Sequence, residues 1–218
     1  MKRIKTILLA LGCIAAVSLT SCLSDNDSNN DQEGLTKAEV DQCFAIMHGT
    51  YNGKVLFAAK NPDNPLDQID TLDISWTVAD TTLVVKQLPP AIIKDKINDK
   101  KIQEAFAEAQ PSQMKAYIGI FQKTPIGFLL APLTVDYNIF YDESTHKASL
   151  VFWYNNYSYG YYNTTSNLFE MQLVAAALYI DDNQNYNYIA SGGETTANYN
   201  FILTTADLTK VNETSPQD

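Results

Sequence analysis

Apolar residues recur along the chain at two spacings, and the switches between them divide it into elements. Val40, Cys43, Phe44 and Met47 stand at i, i+3, i+4 and i+7, which puts them on one stripe of a helix. Thr36 and Glu39 precede them at capping-box spacing, each able to satisfy the other's free backbone N–H. Gly49 supplies the stop. The period then drops to two, with Tyr51, Gly53, Val55 and Phe57 alternating with Asn52, Lys54 and Leu56. Asn61-Pro62-Asp63-Asn64-Pro65 predicts a turn. Leu72, Ile74, Trp76 and Val78 alternate with Thr71, Asp73, Ser75 and Thr77, a strand with one buried and one wet face. Asp80-Thr81 reads as a tight turn into Leu83-Val84-Val85, so the two strands form a hairpin. After a short turn at 91–97, the spacing of Ile102, Ala105, Phe106 and Ala109 predicts a helix over 100–109, stopped by Pro111.

Beyond Pro111 the pattern is strand after strand. Met114–Phe121 comes first, then Phe128–Tyr141, with Pro132 at a bulge or edge position. Asp142-Glu143-Ser144-Thr145 turns into Lys147–Tyr154. Leu168–Ile180 alternates Phe169, Met171, Leu173 and Ala175, which favours a strand, although its three alanines also suit a helix. Asp181-Asp182-Asn183 is a turn, and Tyr186–Ala190 and Thr196–Leu203 close the domain. Eight to ten strands at short spacing, with few strand–helix–strand alternations, predict a mainly β, antiparallel fold. A count near eight favours an up-and-down β-barrel, because closure removes exposed edges. It would carry an N-terminal helix and one helix between strands; a β-sandwich is the alternative.

The N-terminus carries an address. Met1-Lys2-Arg3-Ile4-Lys5 is basic, and the uncharged run Thr6–Ser21 behind it is shorter than the roughly 20 residues of a membrane span. Together they form a signal peptide over residues 1–21. Leu19-Thr20-Ser21-Cys22 resembles the lipobox of bacterial lipoproteins. The resemblance implies cleavage before Cys22, lipid on its sulfur, and a membrane partner through that anchor. Residues 22–34 are acidic and lack large apolar side chains after Leu23, so they read as a flexible tether. They also resemble the acidic export signal of surface lipoproteins of Bacteroidetes. The expected address is the outer membrane, exposed at the cell surface, with a periplasm-facing anchor as the alternative. A single β-rich domain over 35–205 and a polar tail over 206–218 complete the chain.

Leu35-Thr36-Lys37-Ala38-Glu39-Val40, Cys43 and Gly49-Thr50-Tyr51-Asn52-Gly53-Lys54-Val55 resemble the opening of a family of small Bacteroidetes lipoproteins of unknown function. The resemblance implies a lipocalin-like or calycin-like barrel and brings no catalytic residues.

Charge narrows the partners. The chain carries a formal charge of −10, from 15 Lys+Arg against 25 Asp+Glu. Cleavage removes Lys2, Arg3 and Lys5 and leaves −13, which repels nucleic acid phosphates. With Cys13 cleaved off and Cys22 lipidated, only Cys43 remains. The core therefore holds without an internal disulfide, and Cys43 reads as a small buried hydrophobe.

Motifs for chemistry are sparse. His48 sits at the predicted helix end, where a cation complements the dipole, and His146 falls in a turn, expected to be solvated. No zinc spacing, phosphate loop or Gly-x-Ser-x-Gly elbow occurs. Asp181-Asp182-Asn183 lacks the loop pattern of a calcium site. Neither an enzyme nor a cofactor is expected. Asp70-Thr71-Leu72 and Asp80-Thr81-Thr82 resemble a short O-glycosylation acceptor pattern.

The segment 153–163 stands out. Six of its eleven residues are aromatic (Trp153, Tyr154, Tyr157, Tyr159, Tyr161 and Tyr162), and the others are Asn, Ser or Gly. Rigid rings beside amides suit sugars, which present apolar faces and hydroxyl edges; the same composition makes general recognition surfaces. These six residues are the candidate ligand-binding set of a non-catalytic binding module. A barrel holding a small apolar ligand inside, and a subunit or inhibitor docking an envelope protein, are the alternatives. Tyr in a half-buried wall with its hydroxyl in water is the purely structural reading.

Overall fold

The computed structural model describes residues 34–61, 64–190 and 196–207. The signal peptide, Cys22, the tether through residue 33, the turn residues 62–63 and the tail from 208 lie outside the described residues.

Helix α1 (Lys37–Met47) buries Cys43 and Met47, with Phe44 packed on the core. The predicted stripe is therefore the face it lays on the barrel. Lys123 at the end of one wall strand donates to Glu39 at 2.7 Å, and the Tyr51 hydroxyl donates to the Met47 carbonyl at 2.7 Å. Gly49, with φ at 153°, adopts a backbone that residues with side chains rarely take. It turns the chain into the first strand.

Ten strand segments follow: β1 (Gly49–Asn61), β2 (Asn64–Ala79), β3 (Thr82–Leu88), β4 (Ser112–Lys123), β5 (Ile126–Pro132), β6 (Val135–Tyr141), β7 (Ser144–Trp153), β8 (Asn155–Asn163), β9 (Leu168–Ile180) and β10 (Tyr199–Thr204). Helices α2 (Ala91–Lys94) and α3 (Lys100–Ala107) lie between β3 and β4. Every pairing is antiparallel, and β10 bonds to both β9 and β1, which closes the sheet. β5 pairs with β8, while β6 pairs with β7. The run β5–β6 is thus one wall strand interrupted after Pro132, and β7–β8 is another interrupted at Tyr154. Ten segments make an eight-stranded up-and-down barrel, the predicted architecture, and not a sandwich.

Two local expectations need correction. Tyr186–Ala190 forms no strand. It runs beside β9 and satisfies that edge irregularly: Tyr188 N–H donates to the Leu178 carbonyl at 2.9 Å, and Leu178 N–H donates to Asn187 Oδ1 at 3.0 Å. An edge can be satisfied by a side-chain amide as well as by a ladder. Secondly, β10 starts at Tyr199 and not at residue 196. The segment 155–163, to which the spacing assigned no element, is a wall strand, β8. The alanines of β9 fit a strand because Ala176 is a bulge: Val151 pairs with Ala177 and Phe152 with Ala175.

Buried side chains of the wall strands and the helices form one hydrophobic core. At the α1 end, Phe169 is the hub, with ring centroids 4.7 Å from Tyr51, 5.5 Å from Trp76, 5.4 Å from Phe128 and 5.6 Å from Tyr162. At the other end Ile92 and Ile93 of α2 and Ile102 and Phe106 of α3 are buried. Phe106 meets Tyr137 at 5.0 Å. Helix α3 starts on Asp99, whose carboxylate accepts from Lys101 N–H at 2.9 Å and Ile102 N–H at 3.1 Å. Asp99→Ala is expected to cost about 1 kcal/mol, read in a urea titration as a lower midpoint with an unchanged slope.

Candidate functional site

The aromatic segment is shaped by a local mismatch between two wall strands. Leu129 pairs with Tyr159, but its neighbour Leu130 pairs with Asn155. Asn156, Tyr157 and Ser158 therefore have no opposite residue on β5 and form a bulge. Asn155 takes a left-handed φ of 56°, and Tyr157 N–H reaches the Tyr154 carbonyl at 3.4 Å. Ser158 closes the base from inside. Its buried hydroxyl donates to the Trp153 carbonyl at 2.5 Å and accepts from Val174 N–H at 3.3 Å. Gln172 Nε2 donates to the Tyr157 carbonyl at 2.9 Å. A fixed base thus presents an outward tip, with Tyr154 58% and Tyr157 51% exposed and Asn155 and Asn156 exposed beside them.

The rings around this tip share the outer wall. Trp153 pairs with Val174 on β9, and its indole N–H donates at 2.9 Å to the Ala197 carbonyl, on the far side of β9. The indole therefore lies across β9 and meets Tyr157 at 5.5 Å. Tyr159 and Tyr161 sit edge to face at 6.1 Å, and Tyr161 meets Phe121 of β4 at 6.0 Å. Gly127 permits that approach, because a Cβ there would stand 2.7 Å from the Phe121 ring. Burial raises the Tyr159 and Tyr161 phenols above their ordinary value, so both stay neutral donors.

Tyr162 departs from the expected set. It points inward and is only 8% exposed, with its hydroxyl donating to Asn167 at 2.7 Å. Strand alternation sends Ser158, Gly160 and Tyr162 to the interior and leaves Tyr159 and Tyr161 outside. Gly160 has to be glycine: a Cβ would strike the Phe128 ring and stand 2.7 Å from the Glu170 carbonyl oxygen.

Polar groups continue the outer face. Tyr159 pairs with Gln172 and Tyr161 with Glu170; Glu170 pairs with Thr204, and Thr204 with Lys54. Lys54 bonds Asp73 at 2.6 Å. Beyond them an open groove of about 910 Å³ is lined by Asn52, Lys54, Asp73, Ser75, Lys86 and Gln87. Sequence reading missed Phe121, Glu170 and Gln172, which join the aromatic segment only through strand register.

Burial raises the Glu170 carboxyl above its ordinary value, with the Thr204 hydroxyl, 3.4 Å away, opposing the shift. For an acid raised in the folded state, the favourable contribution is present at low pH and lost as pH rises through the folded value. Glu170→Gln is therefore expected to raise the melting temperature at pH 7 by about 1–3 °C. The gain should vanish below about pH 4 in melting curves taken across that range.

The second histidine is not the solvated turn residue expected from sequence. His146 lies on β7 with a side chain only 20% exposed, stacked on Tyr141 at 3.9 Å and 19°. Its Nδ1 is 2.7 Å from Asp181 Oδ2, and its Nε2 is 2.7 Å from Ser144 Oγ. Ser144 and His146, two apart on one strand, share a face. Only the β7–β9 pairing, which sets Ala148 opposite Ile180, brings Asp181 to them.

Fold and outer face together define a closed eight-stranded barrel with a cluster of aromatic side chains on the outside of its wall. The chain belongs to the family described as Domain of unknown function (DUF4840), matched over residues 46–180, from the end of α1 through β9. No curated protein and no solved structure matches it. Among the described residues no helix is long and apolar enough to cross a membrane.

Proposed function

We propose that this protein is a lipid-anchored envelope lipoprotein that holds a glycan against the aromatic outer face of its barrel. The carrying observation is the gathering of Trp153, Tyr154, Tyr157, Tyr159 and Tyr161 on one side of the wall, next to Asn155, Asn156 and Gln172. Ring faces take the apolar faces of sugars, and amides meet their hydroxyls. The base of the bulge is held by Ser158 and Gln172, so little ordering cost remains at binding. The interior reading is less favoured, because Phe169 and its four neighbouring rings occupy the barrel at the α1 end.

Tryptophan fluorescence tests this directly. The chain has two tryptophans; Trp76 is buried, and Trp153 lies on the proposed face. Titration with neutral oligosaccharides should perturb Trp153 emission and leave a Trp153→Phe variant silent. A panel of oligosaccharides that moves neither emission nor melting temperature would count against glycan binding and direct the search to an envelope protein as partner.

The address rests on the lipobox-like Leu19-Thr20-Ser21-Cys22 and the acidic tether behind it, with display at the outer surface of the outer membrane as the reading. A diacyl or triacyl anchor buries many methylenes at about 0.8 kcal/mol each. Cys22→Ala should therefore abolish incorporation of labelled fatty acid and move the protein from the membrane to the soluble fraction. Continued labelling of the variant would refute the assignment.

A further inference from the structure

Independently of the aromatic face, we infer that Ser144, His146 and Asp181 form a nucleophile, a general base and its orienting carboxylate, able to cleave small neutral carboxylic esters at one end of the barrel. Asp181 is held from two sides: Oδ1 accepts from Lys147 N–H at 3.0 Å, and its own N–H donates to the Lys147 carbonyl at 2.8 Å. Its remaining oxygen faces His146 Nδ1 at 2.7 Å. The hydrogen bonds from His146 and from the Lys147 backbone keep the Asp181 carboxyl below its ordinary value, so it is an anion at neutral pH and can only accept. That fixes the imidazole proton on Nδ1 and leaves the Nε2 lone pair free. Ser144 Oγ lies 2.7 Å from that nitrogen, closer than to its other acceptors, the Tyr141 carbonyl at 3.4 Å and the Asp142 carbonyl at 3.5 Å, so its proton is placed to go to Nε2. Tyr141, stacked on the ring at 3.9 Å, holds its plane. Hydrogen bonds from nucleophile to base and from base to orienter define such a site by geometry, whatever the order of the residues in the chain. Absence of a serine-hydrolase sequence motif is therefore no bar.

The chemistry balances with water as the second reactant. Ser144 Oγ bonds to the ester carbonyl carbon while its proton moves to His146 Nε2. The carbon–oxygen bond to the leaving alcohol breaks as Nε2 returns that proton to the alcohol. Water, deprotonated by Nε2, then releases the acid and restores Ser144. The surroundings set the substrate class. Asp142 and Glu143 in the adjoining turn and Asp182 beside Asp181 disfavour anionic substrates. Ser144 is exposed, which suits a small acyl group on an accessible carrier. Lys101 of α3, over the Tyr141 ring at 5.5 Å and paired with Asp142, and Lys147, paired with Asp182 at 2.5 Å, are the cations beside the site. The Asp99 carboxylate and the Tyr188 phenol also act electrostatically on Tyr141.

The test uses the full-length chain in detergent micelles and an alkyl fluorophosphonate probe, which forms an oxygen–phosphorus bond and expels fluoride. Peptide mass mapping should place the adduct on Ser144 and find none there in Ser144→Ala. The labelling rate should fall about a hundredfold or more in His146→Ala, with far-ultraviolet circular dichroism unchanged. p-Nitrophenyl acetate hydrolysis should follow the same variants. Absence of an adduct on Ser144, or labelling at the native rate in His146→Ala, would overturn the inference. Both readouts are separate from glycan binding, so failure of either proposal leaves the other standing.

Discussion

Phe169→Ala is expected to destabilise the barrel by about 3–5 kcal/mol, the range for removing a fully buried aromatic side chain. The magnitude should sit in the upper part of that range. Phe169 touches the rings of Tyr51, Trp76, Phe128 and Tyr162, which come from β1, β2, β5 and β8. These strands are bonded into the wall, so they cannot collapse together to fill the space. For a domain of this size the loss corresponds to roughly 6–20 °C in melting temperature, measurable by circular dichroism. Phe140→Ala, at an exposed position of β6, is the matched control, with a change within about 0.5 kcal/mol. Equal losses in the two variants would mean that Phe169 is not the hub of a packed interior.

The second large effect is on binding. Tyr157→Ala combined with Tyr159→Ala is expected to weaken glycan affinity by about thirtyfold or more, the equivalent of about 2 kcal/mol for aromatic anchors at the centre of an interface. Stability should hardly move, because Tyr157 is exposed and Tyr159 is only partly covered. Trp153→Ala is a less clean probe. It also removes the hydrogen bond to Ala197 and uncovers Val174, which is 1% exposed on the outer side of β9. Calorimetric titration of the double variant against the native chain would separate the two effects. Unchanged affinity in the double variant would move the ligand away from this face.

Much of the fold was legible because burial follows period. The stripe Val40, Cys43, Phe44 and Met47 and the alternation Leu72, Ile74, Trp76 and Val78 each have one apolar face, and each became an element of the expected type. β8 escaped because two of its inward positions are Ser158 and Gly160. Ser158 faces inward to tie the bulge, and Gly160 is small because Phe128 fills the space a side chain would need. The usual sign of a strand, apolar inside and polar outside, is inverted there. Tyr186–Ala190 misled in the opposite direction, with strand-like composition in a connection that bonds through Asn187. At the site, composition pointed to the aromatic segment, but only register separates Tyr159 and Tyr161 from inward Tyr162. Ser144, His146 and Asp181 could not be grouped at all, because Asp181 lies 35 residues from His146 in sequence and meets it only through strand pairing.

The most direct test of glycan binding on the outer wall is the tyrosine ring resonances of the isotopically labelled full-length chain during titration with a binding oligosaccharide. Shifts confined to Tyr154, Tyr157, Tyr159 and Tyr161, with Tyr51, Tyr137 and Tyr162 unmoved, are the predicted result. Shifts centred on Tyr51 and Tyr162 would place the ligand inside the barrel and contradict the account.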